Sequence, residues 1–235
     1  MASAAIFPNP KEFPMTQTSQ NFSDILHQEA AADWQAATRH RFVEEIFAGT
    51  LSDAHLRRYL VQDYRFIDGF TALLGAAVAA ADRYPARVRL CRFAAMITGD
   101  ENTYFQRCFD YLGVPEAERN APALLPVTRQ FQELMREAAD SRRYLCALAV
   151  LCVAEGLYLD WADQAGRELP QSGFHHAEWI TLHANDYFRD FVGWLRAELA
   201  RTGAAASAAE REQARAFFLR ATALERAFFD AVYED

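Results

Sequence analysis

Three carboxylates stand where helical periodicity asks for apolar side chains. The face Leu56, Tyr59, Leu60, Phe66, Ile67, Phe70, Leu73 and Leu74 repeats at helical spacing, and Asp63 interrupts it. Leu148, Leu151, Cys152, Tyr158, Leu159 and Ala162 form a second such face, broken by Glu155. A third runs Phe218, Ala221, Phe228, Phe229, Val232, with Glu225 at its centre. A carboxylate taken out of water survives only if paired, hydrogen-bonded or protonated. A Tyr, Trp or Arg neighbour, or a solvated rim, would account for any one of them. Three on separate core-facing stripes point instead to a shared polar pocket, because perturbed acids gather at functional sites. Burial raises carboxyl pKa values, which suits proton transfer near neutral pH. Trp179, Ile180, His183, Tyr187, Phe191 and Trp194, on one face of the helix after Pro170, are candidates to line that pocket or to fill the core.

Other chemistries find less support. A carboxylate-bridged di-iron bundle needs Glu-x-x-His on two helices, and the chain has none; Asp24-x-x-His27 and His183-x-x-Asp186 are poor substitutes. His175 and His176 precede Glu178 near a helix start, where a surface role is expected. No metal is therefore expected. A Gly-rich phosphate loop, a G-x-S-x-G elbow and an H-E-x-x-H pair are all missing, which leaves nucleophilic serine chemistry without a basis.

The elements that must position these acids are helices. Five of the eight prolines (Pro85, Pro115, Pro122, Pro126 and Pro170) lie after residue 14 and mark boundaries. A first helix starts at Asn21-Phe-Ser-Asp, with Ser23 or Asp24 as cap. The next runs from Leu51-Ser-Asp to about Asp82, capped by Ser52. Further helices are expected over about Tyr84–Leu112, ending at Gly113, and over Leu124–Asp140, Ser141–Arg167 and Phe174–Arg201. Thr202-Gly-Ala-Ala-Ala-Ser is a small-residue connection, followed by a helix over about Ala205–Tyr233. No alternating run argues for a strand. The expected architecture is an all-α bundle of about seven to eight helices forming one domain over 21–235. Residues 1–20, with Pro8, Pro10 and Pro14, read as a disordered tail, an extended start or an expression remnant, and Met15 offers an alternative start.

Composition narrows the partners. At 235 residues, 51% hydrophobic with 18 Phe and 9 Tyr, the chain can fill a core and line a pocket. A formal charge of -8 without a Lys/Arg block gives no footprint for nucleic acid and no basic amphipathic face for a membrane surface. The apolar runs Phe70–Ala81 and Tyr144–Ala154 fall short of the roughly 20 residues that span a bilayer. No basic region precedes an apolar stretch near residue 1, so no signal peptide is expected. Cys91, Cys108, Cys146 and Cys152 form no CxxC pair and read as reduced thiols in helices, consistent with a cytoplasmic location.

Tyr59-Leu-Val-Gln-Asp63-Tyr-Arg-Phe66 resembles the YxxQDxxY/F signature of the TenA/thiaminase II family, in which the Asp contacts a substrate pyrimidine. Trp179-Ile-Thr-Leu-His183 through Phe188 is similar to that family's WIxxYxxxxF segment, with His183 at the usual Tyr position. Leu224-Glu225-Arg-Ala-Phe-Phe resembles its terminal E-x-x-F segment. The likeness extends from about Phe22 to Tyr233. It departs at one place: aligning Tyr158 with the Tyr of the family's L-P-C-x-W-x-Y segment puts Ala154 where the catalytic cysteine stands, with Glu155 next to it. Cys152 lies about 200° round the helix from that position and is no substitute. Ala154-Glu155-Gly-Leu-Tyr158-Leu-Asp-Trp161-Ala162 looks instead like the TenA_E branch, which lacks the cysteine and is associated with salvage of thiamin breakdown products.

The resemblance implies a haem-oxygenase-like helical bundle, without haem or other cofactor, assembled as a homo-oligomer (dimer or tetramer). It also implies a small-molecule substrate, an aminomethylpyrimidine or its N-formyl derivative, hydrolysed to the hydroxymethylpyrimidine. In that frame Asp63 holds the pyrimidine between aromatics such as Phe66 and Tyr187, with Tyr59, Tyr158 and His183 completing the binding surface. Glu225 hands a proton to the leaving amine, and Glu155 orients or deprotonates water in place of a covalent cysteine step. Thiamin cleavage, and pyrimidine binding without catalysis, are the alternatives. The related scaffold that oxidises a highly carboxylated quinone precursor is expected to need pocket cations, where these stripes present acids.

Overall fold

The computed structural model describes residues 20–171 and 173–234; the expectations for residues 1–19 lie outside them. Among the described residues there are twelve α-helical segments and no strand. They are α1 (Phe22–Glu29), α2 (Ala31–Thr38), α3 (Arg41–Ala48), α4 (Asp53–Ala80), α5 (Tyr84–Met96), α6 (Asn102–Tyr111), α7 (Glu116–Asn120), α8 (Pro126–Asp140), α9 (Tyr144–Ala162), α10 (Phe174–His183), α11 (Asp186–Ala205) and α12 (Ala208–Asp230). A π-helical turn, Ile97–Glu101, joins α5 to α6.

The all-helical class is as expected; the count is higher because three expected helices are subdivided and a short α7 forms after Pro115. The N-terminal stretch turns at Ala30 and again at His40, whose Nδ1 accepts from Phe42 N at 3.0 Å and so caps α3. Asn21, rather than Ser23 or Asp24, caps α1. The helix expected over Phe174–Arg201 breaks at Asn185. Its amide donates to the carbonyls of Thr181 (3.1 Å) and Leu182 (2.9 Å), while its Oδ1 accepts from Phe188 N at 2.9 Å. One side chain thus closes α10 and opens α11, satisfying groups that a helix end leaves bare. Conversely, the small-residue stretch after Arg201 stays helical to Ala205, and Ser207 with Glu210 forms a capping box for α12.

α9 is the axis of the molecule. It is buried on nearly every side, as a helix whose sequence is apolar but for Glu155 and Asp160 requires, and α2, α4, α8, α11 and α12 pack around it. It is 19 residues long and apolar enough to cross a membrane by length and composition, yet it is 94% buried inside the bundle. α4 lies against α5, α8 and α9, and α12 against α2, α8 and α9. Each of the three acid-bearing helices therefore faces the centre.

Candidate active site

Asp63, Glu155 and Glu225 are 4%, 9% and 2% exposed, so all three are core residues. They meet near one small cavity, of about 20 Å³, lined by Asp63, Phe66 and Ile67 of α4, Ile97 and Glu101 of the π turn, Ala154, Glu155 and Tyr158 of α9, and Trp179 and His183 of α10. Glu225 is buried beside this cavity rather than in its lining, close enough for its charge to act on Glu155 and for Asp63 to act on it.

Glu101 is a fourth acid, not picked out from the sequence. It sits in the polar run Thr98-Gly-Asp-Glu-Asn, which reads as a solvated turn. Periodicity nevertheless carried a signal: Leu90, Phe93, Ile97, Tyr104, Phe105 and Cys108 form a buried stripe, and Glu101 falls on it four residues after Ile97. The π turn inserts a wider loop of backbone at this point, a feature common at functional sites.

Among the described residues, no cation neutralises this group. Burial pushes Asp63 up to about 8, the Tyr59 hydroxyl one turn earlier working against it. Burial, then the charge of Asp63, takes Glu101 to about 8 as well. Glu155 lies well above the usual carboxylate range through burial and the charges of Glu101, Glu225 and Asp63; Glu225 does so through burial and Asp63. Glu225 Oε1 is buried without a hydrogen-bond partner. Glu198 shows what a structurally satisfied acid looks like in the same protein. It is 1% exposed, but Arg201 bonds it at 3.0 and 2.8 Å, Arg83 pairs with it, and Tyr144 donates to it at 3.3 Å. Burial works against Glu198, yet the two guanidinium groups hold it below its ordinary pKa.

The aromatic residues complete the enclosure. The Tyr59 and Tyr158 hydroxyls are 2.5 Å apart, tying α4 to α9 beside the acids. Trp179 stacks on Tyr104 with centroids 5.0 Å apart, and Phe66 stacks on Phe70 at 5.5 Å. His183 donates from Nδ1 to the Trp179 carbonyl at 2.9 Å, leaving Nε2 as an acceptor. Burial, opposed by that carbonyl, lowers its pKa to about 4, so the ring is neutral. Tyr187 does not join the cavity. The break at Asn185 turns it outward, 45% exposed, into a separate groove with Tyr84, Arg89, Arg92 and Asp190. Phe66, Tyr158 and His183 do line the cavity, and Tyr59 supports it from the layer around Tyr158. Ala154 is also in the lining, whereas Cys152 is buried and placed elsewhere, its thiol raised by burial. His175 and His176, expected at the surface, are instead buried in α10. Among the described residues, no three His, Cys, Asp or Glu side chains are grouped as metal ligands.

The chain is thus an all-helical bundle that brings acids and aromatic faces together around one small cavity. The chain belongs to the TENA/THI-4/PQQC family, whose model matches residues 27–235. It is 22% identical over 217 residues to the aminopyrimidine aminohydrolase of Halalkalibacterium halodurans, covering 92% of this chain and 96% of that protein. Its fold is that of a TenA homologue from Pyrococcus furiosus, with a TM-score of 0.81 at 19% identity over 90% of this chain and all of the other. A protein from Shewanella denitrificans with a haem-oxygenase-like fold superposes with a TM-score of 0.64 at 13% identity, over 89% and 90% of the two chains.

Proposed function

We propose that the protein is an aminopyrimidine hydrolase that displaces the amine of an aminomethylpyrimidine, or of its N-formyl derivative, to give the hydroxymethylpyrimidine. The observation that carries this reading is the cavity lining. Three carboxyls face it, a fourth stands beside it, and it contains no Arg or Lys. Such a surface suits a ligand that brings amines and ring nitrogens, and disfavours a carboxylated one. The names of the aminohydrolase relatives agree with it.

Asp63 hydrogen-bonds the ring or its amino group, with Phe66 and Trp179 as the apolar walls. Glu155 takes a proton from water as the water oxygen forms a bond to the exocyclic methylene carbon. The C–N bond breaks with its electron pair on nitrogen, and a protonated carboxyl covers that nitrogen as it departs. Glu225, raised by burial and by the charge of Asp63, stands beside the cavity and raises Glu155 in turn. Ala154 lines the cavity where a covalent mechanism would need a thiol, which favours direct attack by water over a covalent intermediate. A cytoplasmic location fits the four free thiols, and assembly into a homo-oligomer belongs to the same reading. The test is turnover by purified protein of aminomethylpyrimidine against thiamin, with Glu155→Gln beside the wild type. Full activity in Glu155→Gln removes that residue from the mechanism; no binding of any pyrimidine fragment removes the function.

A further inference from the structure

We propose that Glu101 is a catalytic residue, the group that holds the leaving nitrogen and supplies its proton as the C–N bond breaks. The proposal rests on the hydrolase reading above and gives to Glu101 a role that the family resemblance implied for Glu225. Three observations support the reassignment. Glu101 lines the cavity, while Glu225 does not. Glu101 is 93% buried by its 7% exposure, and makes no hydrogen bond or ion pair with any described residue, so its carboxyl is unspent and turned to the cavity. It is carried by the π turn, which lets an acid from a polar sequence run enter the core stripe between Ile97 and Tyr104.

Position also pairs it with the right partner. Glu101 and Glu155 line the same cavity from different elements, and the charge of Glu101 acts on the proton of Glu155. Burial and the charge of Asp63 raise Glu101, while Glu101 is the foremost charged neighbour raising Glu155. Two carboxyls in one low-dielectric space cannot both ionise readily, so one carries the proton and the other is the base. In the reactive protonation state, with the proton on Glu101 rather than on Glu155, water's oxygen bonds to the methylene carbon and its proton passes to Glu155. The C–N electron pair goes to nitrogen, which takes the proton of Glu101. Amine and alcohol leave, Glu101 is ionised and Glu155 protonated; transfer of that proton between them restores the starting state. No oxidant or further reactant is required.

The experiment compares wild type, Glu101→Gln and Glu101→Ala in hydrolysis of aminomethylpyrimidine, followed by ammonia release across pH. In parallel, equilibrium binding of hydroxymethylpyrimidine, which carries no amine, reports whether the cavity is intact. Glu101→Gln is expected to lower kcat/KM by about 100-fold or more and to remove one limb of the pH profile, with hydroxymethylpyrimidine binding unchanged. Added formate is expected to restore part of the activity of Glu101→Ala. Near-wild-type turnover in Glu101→Gln overturns the proposal. So does a loss of hydroxymethylpyrimidine binding in both variants without formate rescue, which marks a structural role. A wild type that binds pyrimidines but releases no ammonia sinks the hydrolase reading and this one with it. An active wild type with an active Glu101→Gln sinks this one alone.

Discussion

Replacing Asp63 by Asn is expected to stabilise the protein at neutral pH while disabling it. The folded state holds the Asp63 proton up to about 8, against an ordinary value of 3.8. A carboxyl whose pKa rises on folding binds its proton more tightly in the native state. Native stability is therefore complete below pH 3.8 and declines as pH climbs toward 8. At pH 7 the lost stability from this one group is about 4 kcal/mol, from roughly three pH units at about 1.4 kcal/mol each. Asn keeps the shape and cannot ionise, and its amide can donate to a neighbouring carboxyl such as Glu225, whose Oε1 is unpartnered. For a chain of this size the gain corresponds to a rise in Tm of roughly 10 °C. Thermal unfolding of both proteins from pH 4 to 8 measures it: the curves converge at the acid end and separate as pH rises. A wild-type Tm that stays flat over this range, or an Asn variant less stable by the same margin throughout, refutes the assignment of an unneutralised buried carboxyl. Under the proposed function activity is expected to fall in the variant even as Tm rises, because Asp63 is the group assigned to hold the pyrimidine.

The satisfied acid is expected to behave in the opposite sense. Glu198→Gln, by removing the charge that Arg83 and Arg201 share, should destabilise the protein by about 2–4 kcal/mol in urea at pH 7. Glu198 has a lowered folded pKa, so its contribution is present above the unfolded value and fades as pH falls through the folded one; the gap to the variant should close in acid. Ala154→Cys should not create thiamin cleavage. Burial and the surrounding acids oppose a thiolate in the cavity, so both thiamin turnover and alkylation of that cysteine by iodoacetamide at pH 7 should stay negligible; rapid alkylation would contradict the electrostatics.

Helical periodicity exposed Asp63, Glu155 and Glu225 because each interrupts a long, otherwise apolar stripe, and burial of an acid is a question that a one-dimensional pattern can pose. Family likeness then gave them a common ligand. What the pattern could not show was which side chains reach the same space. Tyr187 shares a helical phase with His183 only if the helix is continuous, and Asn185 breaks it by satisfying the ends of two helices at once. Helix count failed for the same reason, since caps made by Asn185 and His40 are three-dimensional hydrogen bonds written in residues that also occur mid-helix. Glu101 is the sharper case. It obeys the same spacing test as the other three, falling on the stripe of Ile97 and Tyr104, but its neighbours Gly99, Asp100 and Asn102 make the segment look like a turn. The chain accommodates both facts by forming a π turn. Polar neighbours stay outside, and the one acid in phase with the core is delivered to the cavity. An acid admitted to the core at that cost, with no cation to meet it, has its partner still to come, and the ligand is the only component of the reading able to supply one.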